Sequence, residues 1–176
     1  TCCCGQQTTA CDRANTSATK ATVSTGFNST HSNGVVISDF TVGSNTGDID
    51  WNGDIYRTSF SGTITKNGSN KVTFGGEINN MGLNVTSGTA DLSGSITGTA
   101  NASISNGGTM NVTTGGLLDG VNLTTVAGTF NLMAGGVYDF DIGANGINDQ
   151  INGSGTVGLD GIFSFDLSSA DITHGN

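Results

Sequence analysis

Between Gly34 and Leu167, apolar and polar residues alternate in short runs such as GVVISDFTV (34–42) and KVTFGGEI (71–78), and the runs are separated by Gly, Asn and Asp. A period of two bounded by turn residues predicts β-strands. No segment holds a helical period. The nearest, Asp12 to Thr22, is rich in Thr, Ser and Asn, which are poor helix formers. Residues 1–33 offer little apolar surface beyond Val23 and Phe27, too little to offset the entropy of ordering, so they are expected to form an extended tether.

The strand pattern repeats. GSNKVTFGG (68–76), GTADLSGSI (88–96), GTMNVTTGG (108–116) and GTFNLMAGG (128–136) follow one another at a constant interval. Gly68, Gly88, Gly108 and Gly128 make one column, and Val72, Leu92, Val112 and Leu132 a second. Ile64, Leu83, Ile104 and Leu123 make a looser third. A glycine corner and a fixed aliphatic recurring at this period are what a β-solenoid coil requires, because each coil stacks about 4.8 Å above the last and repeats its inward residues. The expected fold is therefore all-β, a β-solenoid (parallel β-helix) with coils of about 20 residues over 34–176, preceded by the tether over 1–33.

Strand alternation places Asn70, Ala90, Met110 and Phe130 inward with the Val72 column. The outward ranks are then Ser69, Thr89, Thr109 and Thr129; Lys71, Asp91, Asn111 and Asn131; and Thr73, Ser93, Thr113 and Met133. Hydroxyl and amide ladders of this kind stabilise stacked strands. Lys71, the Asp/Asn rank and Met133 interrupt the regular Thr array that an ice-ordering surface needs.

Composition narrows the function. The 176 residues include 29 Gly, no Pro and 5 Lys and Arg against 14 Asp and Glu, a formal charge of −9. That charge repels phosphate backbones and anionic lipid surfaces, which argues against nucleic acid as a partner. No apolar run is long enough to span a membrane, and no leader-like segment opens the chain. Scarce Lys and clustered Cys favour an oxidising, extracellular setting.

Catalytic constellations are missing. His31 and His174 lie near the two ends of the chain, and no nucleophile-elbow or His-Glu-x-x-His string accompanies them. Asp139 and Asp141 sit on alternate positions of one run, which reads as a solvated strand face rather than a facing acid pair. No enzymatic activity and no cofactor are expected. DIDWNGD (48–54) sets Asp48, Asp50, Asn52 and Asp54 at calcium-loop spacing, but Ser59 stands where the bidentate acid belongs. The favoured reading of this stretch is a hairpin turn at Asn52-Gly53, pairing Asp48 with Arg57 and Ile49 with Tyr56. Asn-x-Ser/Thr sequons, including those at Asn84, Asn111 and Asn122, arise by chance in such a composition.

GDIDWNGDIYRTSFSGTITKNGSNKVTFGG (47–76) resembles the autotransporter-associated β-strand repeats of bacterial cell-surface passenger proteins, through its Trp-x-Gly, Lys-x-Gly-Ser and Val-Thr-Phe-Gly-Gly elements. YDFDIGANGINDQINGSGTVGLDGIFSFDL (138–167) looks like the closing module of such proteins. The resemblance covers roughly residues 35–172 and implies a secreted or surface-exposed right-handed solenoid with a structural, adhesive or display role. The opening TCCCGQQTTAC lies outside that pattern, and no translocating β-barrel accompanies it.

All four cysteines, Cys2, Cys3, Cys4 and Cys11, fall in that opening stretch. Three in succession are poorly spaced for a tetrahedral metal site. Adjacent cysteines, with Cα atoms about 3.8 Å apart, rarely bridge each other. A Cys4–Cys11 loop leaves two thiols over, which points to bonds between chains. The expectation is a structural subunit of an extracellular filament or surface layer, a homopolymer that assembles by head-to-tail stacking of open coil ends and by β-augmentation from the tether and is crosslinked by these cysteines. The alternative is a monomeric adhesin whose partners are surface glycans.

Overall fold

The computed structural model describes residues 21–23, 29–31, 35–36, 39–43, 47–56, 62–98 and 100–170. Buried backbone N–H and C=O groups must be paired, and short strands separated by tight corners can do this only with the coil before and the coil after. The described residues do so. The strands, in order, are β1 (Ala21–Val23), β2 (Ser29–His31), β3 (Val35–Val36), β4 (Asp39–Gly43), β5 (Ile49–Trp51), β6 (Ile55–Tyr56) and β7 (Gly62–Asn67). They continue as β8 (Lys71–Phe74), β9 (Glu77–Asn79), β10 (Met81–Val85), β11 (Gly88–Leu92), β12 (Ser95–Thr97), β13 (Ala100–Ile104) and β14 (Gly108–Val112). The last seven are β15 (Leu117–Asp119), β16 (Val121–Val126), β17 (Thr129–Leu132), β18 (Val137–Asp141), β19 (Ile151–Gly153), β20 (Thr156–Leu159) and β21 (Ile162–Asp166).

Every third strand joins the same sheet. The first sheet runs β1-β4-β7-β10-β13-β16-β19, the second β2-β5-β8-β11-β14-β17-β20 and the third β3-β6-β9-β12-β15-β18-β21. Among the described residues all three are seven strands deep and parallel, giving a three-faced β-solenoid. A single turn of 3-10 helix, Ala144–Gly146, interrupts the path before β19. Strand pairing begins at Ala21–Val23 and Ser29–His31, inside the stretch expected as a tether, because an adjacent coil supplies partners to a segment that could not order alone.

Each sheet sends columns of side chains inward. On the second sheet these are Ile49–Val72–Ala90–Met110–Phe130 and Trp51–Phe74–Leu92–Val112–Leu132, all buried. On the third the column is Ile55–Ile78–Ile96–Leu118–Tyr138. The Tyr138 hydroxyl donates to the Val121 carbonyl, so this buried phenol is satisfied without water.

Register corrects two of the expected columns. Leu92 does pair with Val112 and Val112 with Leu132, but Leu92 sits on Phe74, and Val72 sits on Ala90. The step from Lys71 to its partner Thr89 is shorter than the step from Thr89 to Thr109. Similarly, Leu83 stacks on Ala102, while Ile104 belongs with Val85 and Val126. Corners of variable length absorb these differences, which an alignment at constant spacing cannot detect. The hairpin at Asn52-Gly53 is also overturned: β5 lies in the second sheet and β6 in the third, and both pair in parallel with neighbouring coils. Asn52-Gly53 turns a corner, and the partners of the flanking residues lie one coil on, Val72 for Ile49 and Ile78 for Ile55.

The glycine column has a steric cause. A Cβ on Gly128 would lie 2.3 Å from the Gly108 carbonyl oxygen and 2.4 Å from that of Ser105. At the corner between the third and first sheets the need is conformational, met by Asn80 (φ 54°), Gly98 (φ 80°) and Gly120 (φ 68°) in successive coils.

One inward position is a lysine. Lys66 is fully buried in the column Val42–Lys66–Val85–Ile104–Val126. Its Nζ donates to the carbonyls of Asn67 (2.8 Å), Gly68 (2.9 Å) and Ser87 (2.9 Å). The ammonium thus ties the corner after β7 to the corner one coil later. Burial lowers its pKa to about 8, and the carboxylate of Asp48 works in the opposite direction.

Two substitutions test this packing. Gly128→Ala is expected to destabilise the fold by about 2 kcal/mol through overpacking against backbone, read as a lowered urea midpoint. Lys66→Met keeps the aliphatic stem but leaves three carbonyls without their donor, and should lose about 2 kcal/mol in the same titration. An unchanged midpoint in Lys66→Met would show that the ammonium bonds contribute nothing.

Candidate assembly surfaces

The solenoid has three side faces and two ends, and the ends differ from the faces in kind. In the last coil, Val157 and Leu159 continue the second-sheet columns yet are 40% and 56% exposed, whereas Phe130 and Leu132 directly above them are 0% and 1%. Phe163 continues the Tyr138 column, and Phe165, further along β21, is 58% exposed. The rings of Tyr138, Phe140, Phe163 and Phe165 form a tilted stack with neighbouring centroids 5.1 to 6.1 Å apart. A hollow of about 470 Å³ opens beside Met133, Leu159 and Asp160. The described residues therefore close on a platform of core-type side chains, flanked by three strands paired on one side only.

Charge is uneven along the sequence. All five Lys and Arg fall at or before Lys71, together with five acids, while from Val72 onward the chain carries nine acids and no Lys or Arg. Among the described residues the cations are Lys66, buried in β7, and Lys71, at the start of β8, and every charged residue after Lys71 is acidic.

Acids gather near that end. On the third sheet Asp119 pairs with Asp139, and Asp141 with Asp166. Asp149, carried over by the 3-10 turn, is buried, and its Oδ2 accepts the Asp141 amide at 3.1 Å. Burial and then the neighbouring carboxylates of Asp119, Asp166 and Asp139 raise the Asp141 pKa. Burial is likewise the main cause of the raised Asp149 pKa, with the charges of Asp141, Asp119 and Asp139 adding to it and the bond from the Asp141 amide opposing it. Asp139 Oδ1 is buried and accepts no hydrogen bond, so this strand is more than a solvated acidic face.

The calcium-spaced residues are dispersed along coil edges. Asp48 Oδ1 accepts the Lys71 amide and Asp54 Oδ1 the Glu77 amide, each at 2.9 Å, so both carboxylates bracket the next coil's backbone. Asp50 and Asn52 are exposed. Among the described residues no group of three or more His, Cys, Asp or Glu could hold a metal ion. Cys2, Cys3, Cys4 and Cys11 lie outside the described residues, as does His174; His31 lies in β2.

The outward ladder on the second sheet is real but shifted. Thr89, Thr109, Thr129 and Thr156 form one rank, preceded by Lys71 in place of the expected Ser69. Thr73, Asp91, Asn111 and Asn131 form the next, in which Asn111 Nδ2 donates to Asp91 Oδ1 (2.7 Å) and Asn131 Nδ2 to Asn111 Oδ1 (2.9 Å). Lys71 Nζ reaches Asp91 Oδ2 diagonally at 3.7 Å. The uncovered end agrees with the open coil ends expected from the sequence, whereas the buried lysine was not foreseen. Lys66 carried one signal, an inward parity in the GTITKN run of β7.

Among the described residues no helix is long and apolar enough to cross a membrane. No protein-family model, no curated protein and no solved structure matches the chain.

The acidic end has a pH signature of defined sign. A carboxyl whose pKa is raised by folding binds its proton more tightly in the folded state, so stability falls as pH rises through that window. At neutral pH the charged Asp149 is therefore a cost. Asp149→Asn keeps an oxygen acceptor for the Asp141 amide and should melt a few degrees higher than the parent at pH 7. The gap should close as pH falls below about 4, where the parent is protonated too. Thermal melts of both proteins across this range check it; a variant less stable at pH 7 would contradict it.

Proposed function

We propose that this protein is a structural subunit of an extracellular filament or surface layer, similar in kind to the solenoid passengers of bacterial surface proteins. Subunits stack head to tail, and the N-terminal stretch adds β-strand pairing and disulfides through Cys2, Cys3, Cys4 and Cys11. The observation that carries this reading is the exposed last coil, where Val157, Leu159 and Phe165 stand in or beside columns that are buried elsewhere.

The occupant best suited to that platform is the first described coil of another copy. Its three strands, β1, β2 and β3, head the same three sheets that β19, β20 and β21 close, so a second solenoid can continue all three ladders in parallel. Contact between two different ends does not close on itself and generates a filament. Each large apolar side chain covered would contribute about 1.5 to 3 kcal/mol.

Electron microscopy, with gels run with and without reductant, tests this. Native material should form fibres whose subunits run as a ladder without reductant. Leu159→Asp, at an already exposed position, should abolish fibres while the monomer keeps its circular dichroism spectrum. Replacing all four cysteines by Ser should remove the gel ladder and leave stacking intact. A parent protein that stays monomeric under oxidising conditions would overturn the proposal.

A further inference from the structure

Two faces of the solenoid use the same side chains in opposite ways. On the second sheet the amides are spent on one another, through Asn111 to Asp91 and Asn131 to Asn111. On the first sheet, Asn84, Asn101, Asn122 and Ser103 also point outward, but none makes a side-chain hydrogen bond among the described residues. They occupy two ranks across adjacent strands, Asn101 beside Asn122 and Asn84 beside Ser103.

The surface they line is concave. Gly82, partnered by Thr63 on one side, removes a side chain from the Asn101 rank, and a hollow of about 370 Å³ lies over it, lined also by Asn80, Asn84 and Ser103. A second hollow, about 330 Å³, adjoins the first through Asn101 and is lined by Asn122, Asn148, Gln150 and Asn152, the last donating to Gln150 Oε1 at 2.7 Å. Both volumes fall within the range of small-molecule sites, and together they form a trough crossing successive strands. No Lys, Arg, Asp or Glu lines either hollow, in a chain of net charge −9.

We propose that this trough binds a linear neutral glycan. Each carboxamide offers a donor and an acceptor side by side, the pattern that a sugar's neighbouring hydroxyls can match in both directions. Rungs about 4.8 Å apart repeat that offer along the stack. A peptide adding a strand is a poor fit, because the backbone under the trough is already paired on both sides. Acidic ligands find no cation and basic ligands no carboxylate. Ile147, 76% exposed on the rim of the second hollow, supplies an apolar surface for the C–H face of a sugar ring. Asn84, Asn101 and Asn122 each begin an Asn-x-Ser/Thr triplet, but register partners such as Asn101 and Asn122 are too close to carry two attached glycans. The site does not depend on whether the solenoid polymerises.

The test is titration of the isotopically labelled full chain with cellohexaose, chitohexaose, xylohexaose and mannohexaose, with oligogalacturonate as the acidic comparator, followed by NMR of the side-chain amides. At least one neutral oligosaccharide should shift the Asn84, Asn101 and Asn122 signals and leave Asn111 and Asn131 in place. An Asn84→Ala/Asn101→Ala double variant should weaken that binding about tenfold or more, since two direct hydrogen-bonding groups are lost. Asn111→Ala should not weaken it. The proposal is overturned if no neutral oligosaccharide moves these amides at millimolar concentration, if the acidic comparator binds equally well, or if the double variant binds like the parent. Hexose mass attached to Asn84, Asn101 or Asn122 in native material would overturn it as well.

Discussion

The hydrogen bonds between successive coils govern this structure. A strand of a few residues cannot satisfy its own backbone, and here each is paired in parallel with the equivalent strand one coil away. Coils must therefore approach to about 4.8 Å everywhere, including at the corners, where the chain has least freedom. That demand explains why Gly128 lies against the Gly108 carbonyl with no space for a Cβ. It also explains why inward side chains form continuous columns, in which a small residue such as Ala90 is compensated by larger ones such as Met110 and Phe130 in later coils.

Polar groups serve the same stacking in three forms. Outside, the Asp91–Asn111–Asn131 ladder links coils through side-chain amides. At the edges, Asp48 and Asp54 accept amides from the following coil. Inside, Lys66 ties two corners together by donating to three carbonyls. A lysine in an aliphatic column is costly to bury, and its lowered pKa reflects that cost. The three carbonyl acceptors make the position tolerable, and they give the Lys-x-Gly-Ser element of the sequence a physical role.

A stack held together this way has an unavoidable consequence at its ends. Interior coils are covered above and below, but the last described one presents Val157, Leu159 and Phe165 to solvent. A uniform pattern of inward residues thus finishes the side faces but leaves the last described coil with core-type side chains uncovered. The first sheet adds a different kind of opening, since Asn84, Asn101 and Asn122 make no side-chain hydrogen bond among the described residues, whereas Asn111 and Asn131 on the second sheet do. The two surfaces are chemically unlike, one apolar and axial, the other neutral, polar and lateral, and they can act independently.

An all-β solenoid with coils of about 20 residues is legible in the linear order, because alternation and glycine corners recur there and stacking demands both. The side chains that face inward along most strands are legible too, since parity within a strand is local. Phase between coils belongs to the folded chain alone. Corner lengths differ, so Val72 lies beside Ala90 rather than Leu92, and Ile104 beside Val85 rather than Leu83. Asn52-Gly53 looks like a hairpin because turn chemistry is local, whereas strand pairing in a parallel stack is remote. For the same reason no reading of single positions could tell the bonded amide of Asn111 from the unbonded one of Asn101: their residue type and sequon are shared, and the neighbour in the adjacent coil is what distinguishes them.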